Sequence, residues 1–142
     1  MSEESNLSGP AMANCPRHAF LIKTGTLLHR YGTPSHRLER VMAQVSQELG
    51  VQGVFLYTPT ALVISLTDDN GETTYLRRVD SGAVDVDKLI RFDGALERLS
   101  AGATSLAEAS GELDVIAAAP PPFPAWVTAG ACAAACAAVA VF

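Results

Sequence analysis

The sequence predicts an α+β fold, a small three-stranded antiparallel sheet with about four helices, followed by a transmembrane helix. Three observations lead there. Apolar residues recur with helical spacing as far as Gly50 and again after Asp85, and between those points the period drops to two. Asn70-Gly71, a dipeptide suited to tight hairpins, separates two of the period-two runs. The last 18 residues, from Ala125 to Phe142, carry no charge at all.

Residues 1–15, "MSEESNLSGPAMANC", are acidic and polar where a secretory signal would be basic and then apolar, so they read as a short disordered lead. Residues 16–31, "PRHAFLIKTGTLLHRY", place Phe20, Leu27 and Tyr31 on one stripe with Leu21 and Leu28 beside it, as a helix facing a core does. In "RYGTPSHRLERV", Thr33 can be an N-cap and Pro34 the first helical residue, where the missing N–H costs nothing. Leu38, Val41, Met42, Val45 and Leu49 then form an apolar helix face that Gly50 terminates.

"VQGVFLYTP", "ALVISLTDD" and "ETTYLRRV" are rich in Val, Ile, Leu, Thr and Tyr, and breaks fall at Pro59-Thr60 and Asp69-Asn70-Gly71. They read as three antiparallel strands, with the positive φ angles of the second turn taken by Asn70-Gly71. Asp85 caps a third helix with the stripe Val86, Leu89, Ile90, Leu96 and Leu99. Ser105 and Glu108 have capping-box spacing at the start of a fourth, whose buried side is Leu106, Ala109, Leu113 and Ile116 and which stops before Pro120. These elements make one domain, residues 16–119, with one covered sheet face.

Residues 120–124 form a stiff Pro-rich spacer, and 125–142, "AWVTAGACAAACAAVAVF", read as a membrane helix because no polar face interrupts them. Gly130, Ala134 and Ala138 recur at four-residue spacing, a face for packing against other helices, and Cys132 and Cys136 are small side chains buried in the same packing. Phe123 and Trp126 stand where an interfacial aromatic belt would begin.

A net charge of −5 with scattered basic residues gives no nucleic-acid surface. Three cysteines, none in a C-x-x-C pair, suggest neither a disulfide framework nor a zinc site. There is no Gly-rich phosphate loop and no nucleophile elbow, so no catalytic residue and no cofactor is assigned; Ser65 lies inside an apolar strand, where a small residue on a sheet face suffices.

One constellation stands out. His36 and Arg37 sit in the first turn of a helix, where the dipole disfavours cations, and an anionic ligand would offset that. A carboxylate held by the free N–H groups and Arg37, with Glu39 available for an amine, would suit an amino acid, and Thr58 in the adjoining turn completes the candidate substrate-binding set. The alternative is a solvated polar face of ion pairs. A metal on His36 and Glu39 would need His29 as well, and none is assigned.

"YGTPSHRLE", "FLYTPTALVISLTDD", "TTYLRRV" and "VDVDKLIRFDGALERLSAG", in that order, resemble the N-terminal region of the threonine/serine exporter family, including its fungal branch of pheromone-regulated membrane proteins. The resemblance covers about residues 17–142. It implies a cytosolic N-terminal domain and the first span of a multi-pass membrane carrier that exports small amino acids. The implied partners are the lipid bilayer, other transmembrane helices of the parent carrier or a partner subunit, and the amino acid itself. One helix cannot enclose a translocation path, so the chain is expected to be a fragment, a truncated product or one piece of a split carrier. A membrane-tethered hydrolase and a regulatory or assembly domain are the other readings.

Overall fold

The computed structural model describes residues 15–80 and 82–140. Apart from Cys15, the expected disordered lead lies outside the described residues, as do Val141 and Phe142 of the expected membrane helix. The order is α1 (Pro16–Arg30), α2 (Ser35–Glu48), β1 (Gln52–Thr58), β2 (Ala61–Asp68), β3 (Gly71–Arg78), α3 (Val86–Ser100), α4 (Leu106–Ala118) and α5 (Ala125–Ala140).

β2 is central, antiparallel to β1 and β3. Its alternate residues Leu62, Ile64 and Leu66 are fully buried, each contributing about 1.5–3 kcal/mol by leaving water. α1 meets β2 and α2 meets β1, while α3 and α4 pack on each other and on α2 and α1 respectively. Helices α1 to α4 therefore form two layers over one sheet face, and Phe20, Leu21, Leu38, Met42, Phe92 and Leu113 fill the space between. The outer sheet face keeps Val54, Leu56 and Leu76 in solvent.

Three helices end alike. Gly32, Gly50 and Gly102 follow α1, α2 and α3 with positive φ, and the residue after each donates its N–H back to the helix (Thr33 to Leu28, Val51 to Ser46, Ala103 to Arg98). Gly32 is doubly constrained, because a Cβ there would lie 2.7 Å from Val84 Cγ2. α4 carries the predicted capping box of Ser105 and Glu108, and Asp85 accepts from Lys88 N–H at 3.1 Å as the predicted cap of α3.

Several expectations are corrected. The N-cap of α2 is Pro34 in an extended conformation (ψ 141°), without a side-chain cap bond; Thr33 is spent on the turn from α1 and is buried. In the second hairpin no non-glycine residue has positive φ: Gly71 alone takes it (φ 113°), and Asp68 closes the turn by accepting from Asn70 N–H at 2.8 Å. On α3, Val86 and Ile90 face solvent, and the buried side runs through Phe92, Ala95 and Leu96 with Leu89 and Leu99 at its margin.

The largest correction concerns the terminal helix. α5 has 16 residues, about 24 Å at the helical rise, against roughly 30 Å of bilayer hydrocarbon. Among the described residues no helix is long and apolar enough to cross a membrane. No residue of α5 is buried, so the small-residue face and Cys132 and Cys136 are exposed rather than packed.

Candidate functional site

The first turns of α2 carry His36, Arg37 and Glu39 and the end of β1 carries Thr58, and the structure does not draw the four into one pocket. His36 and Glu39 are exposed, and among the described residues no hydrogen bond or ion pair engages their side chains. Arg37 reaches across to α3 and pairs with Asp93 at 2.5 Å, on the rim of a cleft of about 440 Å³ between α2 and α3 that Val41, Gln44 and Glu48 also line. Thr58 is occupied by its own turn: Oγ1 donates to Ala61 O at 3.1 Å and the Ala61 N–H donates back at 3.0 Å. Arg37 is thus engaged in an ion pair and Thr58 in its own turn.

Glu39 has a different neighbour. Its charge acts on Tyr57 of β1, whose hydroxyl is pushed far above the usual tyrosine range, first by burial and then by that carboxylate. The His29 ring lies tilted against Tyr57 at 6.3 Å, and both His29 Nε2 and Tyr57 Oη are buried without a hydrogen-bond partner. Two unsatisfied polar atoms under the end of β1 can accept a water or a small polar ligand. His36 takes no part in this group, so the H-x-x-E pair with His29 does not assemble as a metal site.

A second cluster joins the opposite end of α1 to the β2–β3 hairpin. Cys15 is the N-cap of α1 and His18 lies one turn on; His18 is 4% exposed. His18 Nδ1 is 3.1 Å from Tyr75 Oη, and Nε2 is 3.2 Å from Asp68 Oδ2 without the alignment of a hydrogen bond. Cys15 Sγ lies 3.9 Å from the same carboxylate oxygen. The Asn70 N–H, followed by the charges of His18 and Arg17, holds Asp68 below the usual carboxylate range against the opposing effect of burial. Burial, with Cys15 and Asp68 adding to it, raises Tyr75. The sequence reading missed this cluster, since Asp68 lies 53 residues from Cys15; the one local signal was Cys15-x-x-His18 at a helix start, the offset of the Ser105/Glu108 box.

Ser65 sits in a third polar group, on the outer sheet face, donating to Glu72 Oε1 at 2.6 Å and accepting from Thr74 at 3.1 Å. Neither bond involves a histidine, and the hydroxyl serves cross-strand pairing.

Residues 19–142 match the family described as "Putative threonine/serine exporter". The chain belongs to the threonine/serine exporter family. Among its relatives, an uncharacterized protein of Schizosaccharomyces pombe is 32% identical over 113 residues, 78% of this chain and 15% of the relative. The pheromone-regulated membrane protein 10 of Saccharomyces cerevisiae is 30% identical over 112 residues, 78% of this chain and 14% of the relative. That of Eremothecium gossypii is also 30% identical over 112 residues. The chain thus spans about one seventh of the length of these relatives. No solved structure matches it.

Proposed function

We propose that this chain is the N-terminal cytosolic domain, with the leading part of the membrane region, of an exporter-type carrier that moves threonine, serine or related small polar metabolites out of the cell. The observation that carries the reading is the family match, which runs from α1 through α5. α5 supports it: an uncharged helix with no buried residue is removed from water by lipid or by neighbouring helices, and the rest of a carrier would supply the remaining length of the span.

Within this reading His36, Arg37, Glu39 and Thr58 mark the surface that meets substrate. Glu39 is the available partner for an ammonium group, and Arg37 becomes one for a carboxylate once it leaves Asp93. The unsatisfied His29 and Tyr57 beside Glu39 offer further polar contacts.

The test is efflux of labelled threonine from cells carrying the complete gene. Efflux faster than that of a deletion strain is expected, and equal efflux overturns the substrate assignment. Glu39→Gln and Arg37→Ala should each slow efflux at unchanged protein level; full efflux from both removes the site and leaves the domain a regulatory or assembly role.

A further inference from the structure

We propose that Cys15, His18 and Asp68 form a zinc site that pins the start of α1 to the β2–β3 hairpin. Thiolate, imidazole and carboxylate are the ligand types zinc takes, and here their atoms lie within 4.8 Å of one another. Tetrahedral zinc separates nitrogen from oxygen by ~3.3 Å and sulfur from oxygen by ~3.5 Å. The corresponding distances are 3.2 Å and 3.9 Å, and the sulfur, which lies within 4.8 Å of the other ligand atoms, closes on the ion by rotation of the half-buried Cys15 side chain.

The buried imidazole supplies the independent observation. His18 Nε2 lies 3.2 Å from Asp68 Oδ2 but is not aligned for a hydrogen bond with it, an expensive state for a nitrogen in a nearly sealed position unless a third atom binds both. The other ring nitrogen is held by Tyr75, as an outer partner orients a metal-bound histidine. In the tautomer with the proton on Nδ1, Tyr75 Oη accepts from Nδ1–H and the Nε2 lone pair is left for the ion.

A Cys-His-Asp catalytic triad is excluded by the same placement. It needs thiol and carboxylate on opposite ring nitrogens, whereas sulfur and carboxylate here converge with Nε2 and Nδ1 faces a tyrosine. One thiolate and one carboxylate neutralise the dication. Cys15 is half-buried, so the fourth position opens to solvent and takes water.

The site is read with cobalt(II) on the full chain in mild detergent, carrying Cys132→Ala and Cys136→Ala so that Cys15 is the sole thiol. The expected result is one ion per chain, a thiolate-to-cobalt charge-transfer band in the near ultraviolet, and displacement by zinc. Cys15→Ser should abolish the band. Tyr75→Phe, which removes only the outer partner, should weaken zinc binding by ~10-fold while circular dichroism stays native. A natively folded protein without the band overturns the proposal, as does a band that survives both His18→Gln and Asp68→Ala.

Discussion

Tyr57 carries the clearest single-residue consequence. In the unfolded chain its hydroxyl ionises near pH 10.0, while in the fold burial and Glu39 keep it protonated well beyond that. The folded-state value is raised, so Tyr57 carries no ionisation penalty below pH 10, and stability falls as pH climbs from there through the folded value. Tyr57→Phe should flatten the alkaline limb of a denaturation-midpoint profile and leave neutral stability unchanged or improved, because a hydroxyl buried without a partner costs about 1–3 kcal/mol. Gly32 is the opposite case. Gly32→Ala meets both a left-handed backbone and the Val84 side chain, and should cost about 1–3 kcal/mol in urea unfolding with an unchanged slope.

Among the elements, those with a single apolar stripe were legible. α2 and α4 turn the stripes their spacing indicated inward, with Val41, Leu49 and Leu106 half-buried at the margin, and Ser105 and Glu108 cap as the sequence implied. α3 was not, because its apolar residues wrap more than half its circumference and offer two overlapping stripes; contact with α2 and α4 selects the one containing Phe92. The hairpins were visible, and only the φ assignment of Asn70 in the second was wrong, since Asp68 supplies a side-chain acceptor that lets Asn70 stay at negative φ. The candidate site was half legible: Arg37 and Glu39 were recognisable, while Asp93, His29 and Tyr57, which decide what those two do, come from remote elements.

The α4 cap also gives a test at this scale. Ser105 holds the Glu108 carboxyl below its ordinary 4.5, so its stabilisation is present above that pH and lost as pH falls through the lower folded value. Ser105→Ala should lower stability by about 1 kcal/mol near neutrality, and Glu108→Gln should reduce the slope of the acid limb, both read by circular dichroism melts.

For the whole molecule, the uncovered helix dominates behaviour in solution. A protein ending at residue 119 retains every buried core residue and should sediment as a monodisperse species in plain buffer. The chain that includes α5 should self-associate there and partition into phospholipid vesicles, a difference measurable by flotation. Equal behaviour of the two would show that α5 finds cover within its own chain.

The seam between α1 and α4 sets a different clock. Lys23 donates to Ser110 at 2.9 Å and Asp114 at 2.8 Å, partners 87 and 91 residues further along. At translation rates of roughly 5–20 residues per second, ribosomal synthesis separates the two halves of this seam by roughly 5–20 s. Hairpins close within microseconds, so the sheet can assemble on the nascent polypeptide long before α4 emerges. During that interval the far side of α1 is bare, which makes it the stretch a chaperone would find first.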